Sequence, residues 1–285
     1  MEVVENAHQS GRVSVKRRDE TFAKQLKTRI WQEIPSDSNP YLAKACRCYG
    51  YELFDLMQNC RYSEVLYLLF RGELPDKDES ELLEQLQIAL INPGLRHPAT
   101  RSAVYAGVGK SDPAHILPIS LSVLGGQHLG GAEVEQAMRF LRRASHKPVE
   151  FTIQQDILPA LERRDTVKAD IHPVPGFGSH FGDIDPLVSQ IARHLQSLPA
   201  SSQCMAWGMT FASEIAAYNI GWLMTGLVAA VFADLGFQPR AAAGLYQHLC
   251  APGLLAHGLE YANKSLSAVP FVDDEQYQIE PPVDG

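Results

Sequence analysis

Apolar residues recur at steps of three and four along most of the chain. Between positions 50 and 70, Leu53, Phe54, Leu56, Met57, Val65, Leu66, Leu68 and Leu69 keep that rhythm with a break at 59–62, which predicts two helices and a short connection. The second ends at Gly72, and RGELPDKDE supplies a glycine stop, a proline and an acidic lead into a helix over 80–90. Further helices are expected over 100–107, 115–124, 133–144, 151–162 and 186–198, with the loop VPGFGSHFGDID before the last. The apolar region 204–233 is too long for one ordinary helix and must break near 219–222. Two helices, 241–249 and 254–262, precede an irregular tail, FVDDEQYQIEPPVDG. Alternation of period two is scarce, so the expected fold class is all-α.

Composition adds bounds. The 285 residues are 45% hydrophobic and 20% charged, which suits a globular body of one large domain or two unequal ones. Twenty-five Lys and Arg against 33 Asp and Glu give a net charge of −8, and no long basic run marks a nucleic-acid surface. The first twenty residues scatter their charges and hold no apolar core, so they read as a frayed arm, neither a signal peptide nor a spanning helix. The most apolar stretch, 220–233, falls short of the roughly 20 residues that a membrane crossing needs, and Asp234 stops it. No membrane partner is expected. Five cysteines without paired CxxC spacing fit a reducing cytoplasm. Ten scattered histidines without an HExxH pattern give no metal expectation. GVGKS at 107–111 is not a phosphate loop, because Val104 stands where that motif needs glycine.

Several segments carry more specific information through their order. YGYELFDLMQ and SEVLYLLFRGELPDKDE come first, then LGGQHLGGAEVEQAM, PGFGSHFGDIDP, YNIGWLMTGLVAAVFADLGFQP and APGLLAHGLE. Together they resemble, over roughly residues 45–262, the landmarks of the citrate synthase and citryl-CoA lyase family: a leucine-rich helix ending in GELP, an HGGA helix start, PGFGHR, an NVD segment with a trailing LG, and GxxAHxxE. The resemblance implies an all-α, citrate synthase-like fold with a large helical domain, 1–132 and 223–285, and a smaller one, 133–222, that closes over a cleft. It also implies a homodimer, or a heteromer with a related subunit. The short N-terminal portion favours the compact citryl-CoA lyase type. Coenzyme A or an acyl-CoA is the implied substrate, with a small organic acid as its partner and no metal.

Chemistry of that family makes or breaks a carbon–carbon bond beside a thioester. A carboxylate moves the α proton, imidazoles steady oxygens, and arginines grip carboxylates with a planar fork. At the matching positions this chain departs. The base position of NVD holds Gly221, the imidazole of GFGHR falls on Ser179, and His180 replaces the arginine that follows. The earlier family histidine falls near Asn92, the HGGA histidine on Leu129 with His128 one residue before it, and an expected arginine on Cys250. Glycine cannot abstract a proton. The candidate catalytic residues are therefore His128, Ser179 and His180, and the candidate acid-binding residues are Arg96, His97 and Arg101. Gly176, Phe177 and Gly178 are the candidate CoA contacts, since the family brings this loop's backbone close to CoA and a glycine has no Cβ in the way. Asp183 and Asp185 precede Pro186, where a helix cap is the expected role.

Overall fold

The computed structural model describes residues 22–162 and 171–280. The expected N-terminal arm lies outside the described residues. The chain forms two compact units, divided between Glu52 and Leu53.

In the first unit, strands β1 (Trp31–Pro35), β2 (Ala43–Cys48) and β3 (Tyr51–Glu52) form an antiparallel meander. Cys48 pairs with Tyr51, so Tyr49 and Gly50 are the two loop residues, and both have positive φ, 48° and 92°. That is the mirror-image turn that matches the twist of a hairpin. Tyr49 and Gly50 thus form a hairpin turn, and the first of the two helices expected between positions 50 and 70 begins only at Leu53. These strands are short and mostly exposed, so no apolar alternation announces them.

The second unit is helical: α1 (Leu53–Asn59), α2 (Tyr62–Arg71), α3 (Lys77–Leu90), α4 (Pro98–Val108), α5 (Pro113–Leu124) and α6 (Gly131–Ala144). Gly72 closes α2 in the left-handed conformation with its N–H on the Leu68 carbonyl, and Asp76 opens α3 with a capping box completed by Glu79. Next come α7 (Val149–Thr152), a π-helical stretch over Ile153–Ile157, and α8 (Leu158–Glu162). Strands β4 (Ile171–Val174) and β5 (Phe177–Ser179), helices α9 (Pro186–Gln196) and α10 (Gln203–Ile215), β6 (Gly221–Trp222), α11 (Met224–Asp234) and α12 (Pro239–Ala262) complete it. The long apolar region breaks where expected: Asn219 adopts φ 58° after a 3-10 turn, and β6 follows. Asp234, at the far end of that region, accepts the N–H groups of Ser202, Cys204 and Met205 and so closes the start of α10.

One expected boundary is absent. The two helices foreseen over 241–262 are one helix, α12, that runs through Pro252. Proline normally breaks a helix by removing a donor and crowding the turn before it. Here the next N–H, that of Gly253, bonds the Ile91 carbonyl at 2.9 Å, and a Cβ on Gly253 would lie 2.4 Å from that oxygen. The close seat on the end of α3 therefore accommodates the interruption.

A single apolar core joins these helices: α11 packs on α6, and α12 on α4, α5 and α6. Phe177 of β5 lies at its centre, fully buried between Trp222 and Phe211 with ring centroids at 4.4 and 4.9 Å. Among the described residues no helix is long and apolar enough to cross a membrane.

Candidate functional site

A cavity of about 240 Å³ opens among α3, α4, α9, α11 and α12. Its wall includes Asn92, His97, Leu129, His180, Thr225, Tyr246 and Cys250. Four of these, Asn92, Leu129, His180 and Cys250, are positions at which the family resemblance places a histidine or an arginine.

Each is placed by local structure. Asn92 follows α3; its Oδ1 accepts the Gly94 N–H at 2.9 Å and its amide nitrogen meets His257 Nε2 at 3.1 Å. His180 leaves β5 into a tight turn, exchanging backbone hydrogen bonds with Asp183 across Phe181 and Gly182, both at positive φ. Cys250 lies on α12 one turn after Tyr246 and is buried; burial pushes its thiol up to about 12 despite the nearby Tyr246 hydroxyl. Burial also raises the Tyr246 phenol well above its ordinary value, with Cys250 adding to the effect.

His97 caps α4: its Nδ1 accepts the Ala99 N–H at 3.1 Å, which leaves Nε2 to donate to the Leu129 carbonyl at 3.1 Å. Burial holds its pKa below the ordinary value. Both ring nitrogens are bonded to backbone, so His97 builds the wall in its neutral form.

Leu129 is the keystone of this wall. It adopts φ 55°, an unusual conformation for a branched residue, and is held there from both sides. Its carbonyl takes the His97 ring, and its N–H donates to Glu133 Oε2 at 2.8 Å. Glu133 is 4% exposed, and its other oxygen receives His172 Nδ1–H at 3.2 Å and the Gly176 N–H at 3.4 Å. Burial alone would raise this carboxyl; His172 and the two backbone N–H groups outweigh it and hold the pKa below its ordinary value. Glu133 thus ties the turn before α6 to the β4–β5 hairpin.

The remaining candidates separate. His128 opens on a second cavity of about 250 Å³ beside Glu133 and His172, its ring 4.7 Å from that of His172. Ser179 is fully buried, and its hydroxyl has no partner among the described residues. Gly221 is buried in β6 opposite Gly178, where a Cβ would lie 2.6 Å from Ile184 Cγ2. Neither Ser179 nor Gly221 lines the first cavity. Arg96 and Arg101 flank the His97 cap, are exposed, and do not line it either. Gly176 turns the β4–β5 hairpin at φ 82°, Gly178 packs against the Ile171 carbonyl, and the ring of Phe177 is committed to the core. Asp185 caps α9, accepting the Leu187 and Val188 N–H groups, as its place before Pro186 led one to expect.

Glu133, His172, Tyr246 and Thr225 are the site residues that sequence reasoning missed. Glu133 had a signal: a glutamate three residues past the Gly130 N-cap is where a capping carboxylate reaches back to the backbone. Among the described residues no group of three or more His, Cys, Asp or Glu is arranged to hold a metal ion.

No protein-family model matches the sequence, and comparison with curated proteins finds no match. Solved structures do match. The citryl-CoA lyase of Hydrogenobacter thermophilus is similar at 25% identity with a TM-score of 0.68, covering 91% of this chain and 96% of that one. The ATP citrate lyase of Methanothrix soehngenii, solved with citrate and coenzyme A, is similar at 15% identity with a TM-score of 0.63, covering 92% of this chain and 44% of that one. The citrate synthase of Thermotoga maritima is similar at 16% identity with a TM-score of 0.52, covering 92% and 95%. The mainly helical fold is citrate synthase-like.

Proposed function

We propose that this citrate synthase-like chain binds a CoA thioester and acts on the carbon–carbon bond next to it, in the manner of a citryl-CoA lyase or citrate synthase with altered machinery. The observation that carries the reading is the convergence of Asn92, Leu129, His180 and Cys250 on one cavity. Similar structures solved with coenzyme A, citrate or citryl-CoA support it. In this reading the acyl end lies in the cavity. Gly176, Phe177 and Gly178, expected from sequence as CoA contacts, are buried with their backbone packed against Gly226 and the Ile171 carbonyl, so CoA lies along the cavity mouth and not on that backbone. Residues 133–222 close over residues 1–132 and 223–285 as a smaller domain, in a homodimer or beside a related subunit. Exposed Arg96 and Arg101 attract the anionic ligand at long range. His180 is the wall group suited to proton transfer, and His128 and Ser179 lie off the cavity as supporting groups.

Titration calorimetry and thermal unfolding with CoA, acetyl-CoA and citryl-CoA test this. Binding heat is expected, with stabilisation of about 2.7 kcal/mol at a hundredfold excess over Kd. No heat and no stabilisation with any of the three contradicts the reading.

A second reading is a non-catalytic paralogue that acts as a binding or regulatory subunit. The packing of Ile184 over Gly221 favours it, because the base position has no room for a carboxylate side chain unless Ile184 moves. Turnover by the isolated chain excludes this reading, and copurification with an active relative supports it.

A further inference from the structure

The character of the cavity wall narrows the ligand. Leu90, Leu187, Val188, Ile191, Leu223 and Met224 make most of the wall apolar. Among the described residues that line it there is no Lys or Arg, and Asp185 supplies a formal negative charge. That charge sits on the α9 cap, so it opposes a second carboxylate. Cys250 and Tyr246 keep their protons, and both nitrogens of His97 are bonded to backbone. A carboxylate-rich acyl group would find one further imidazole, that of His180, where a planar cationic fork is needed. Burying a carboxylate without a paired cation is strongly unfavourable.

Resting on the thioester reading above, we infer that the acyl group this cavity accepts is uncharged and largely apolar, a short alkanoyl chain in place of a di- or tricarboxylate. The volume holds about eight water-sized atoms, at roughly 30 Å³ each, which suits four to six carbons and a carbonyl oxygen. Thr225 lies on the wall, and its hydroxyl is buried without a partner among the described residues; a rotation of that side chain would offer the hydroxyl to the thioester carbonyl.

Calorimetry of the full chain with CoA, acetyl-CoA, butanoyl-CoA, hexanoyl-CoA and citryl-CoA tests the inference. Each buried methylene contributes about fourfold, so butanoyl-CoA is expected to bind about fifteenfold tighter than acetyl-CoA, with citryl-CoA weaker than both. Equal affinity across the alkanoyl series, or citryl-CoA binding tightest, overturns the inference while CoA binding leaves the thioester reading standing. Absence of binding by every species, CoA included, overturns both. Leu187→Arg provides a second arm: Leu187 is 61% exposed, so the variant folds, and it sets a cation at the cavity. The ratio of citryl-CoA to butanoyl-CoA affinity is expected to rise about twofold to fivefold. An unchanged ratio overturns the placement of the acyl group in this cavity.

Discussion

Gly176→Ala is expected to lower the stability of the protein by about 2–5 kcal/mol, from overpacking of about 1–3 kcal/mol and about 1–2 kcal/mol of left-handed backbone strain. Gly176 sits at φ 82° in the Pro-Gly pair that a tight hairpin turn requires. A Cβ there would lie 2.4 Å from the Gly226 Cα and 3.0 Å from the Ala137 Cβ, and neither neighbour is the movable end of a flexible side chain. Gly226 stands on α11 and meets the same contact from the other side, its own Cβ position falling on the Gly176 carbonyl. The two glycines let the hairpin and the helix touch backbone to backbone, which sets β5 and the start of α11 beside the cavity. Chemical denaturation reads the loss, and a change below about 1 kcal/mol contradicts this packing. Gly226→Ala should act on the same contact, so the double variant is expected to cost less than the sum.

Glu133→Ala is expected to cost about 3–5 kcal/mol, from the loss of buried hydrogen bonds to a charged acceptor at about 1.5–3 kcal/mol each. The change strands the Leu129 N–H, the Gly176 N–H and the His172 ring together. Glu133→Gln keeps the volume and one acceptor oxygen, and should cost less. The pH dependence carries the sign. A carboxyl whose folded pKa lies below its unfolded value stabilises fully above the unfolded value, and that stability is lost as pH falls through the folded one. Unfolding followed from neutral pH down through the carboxylate range should therefore show a drop that Glu133→Gln lacks. Identical pH profiles for the two proteins contradict the assignment.

What the sequence revealed and what it concealed divide along physical lines. Punctuation that acts through one residue was legible: Gly72, expected as a stop and found in its left-handed cap, and Asn219 at the break before β6. The start of α3 at Lys77, three residues before the expected 80, is set by the Asp76–Glu79 capping box. The helices between such marks were legible because one face of each is apolar. Features decided by tertiary contacts were not. Nothing near Pro252 in the chain tells that Ile91, distant in sequence, takes the next N–H and lets α12 continue. The short strands of both sheets pair too few residues for an alternating pattern to build up.

At the site, motif order led to Asn92, Leu129, His180 and Cys250, which the fold brings to one cavity. Neighbouring numbers in the chain did not mean neighbouring places. His128 and Leu129 are adjacent, yet the positive φ of Leu129 turns the chain, and the two residues line different cavities. Ser179 and His180 part likewise, the first into the core and the second onto the wall. Alternation along an extended segment separates such pairs by face, and a one-residue offset in matching a motif then changes the chemistry assigned to the site.

The most direct measurement is a crystal structure of the protein with butanoyl-CoA. The acyl chain is expected between Leu129, Tyr246 and Cys250 on one side and Val188 and Ile191 on the other, with its carbonyl oxygen within hydrogen-bond reach of Thr225. A thioester bound with its acyl chain outside this cavity, or a cavity still filled by water at saturating ligand, would contradict the assignment.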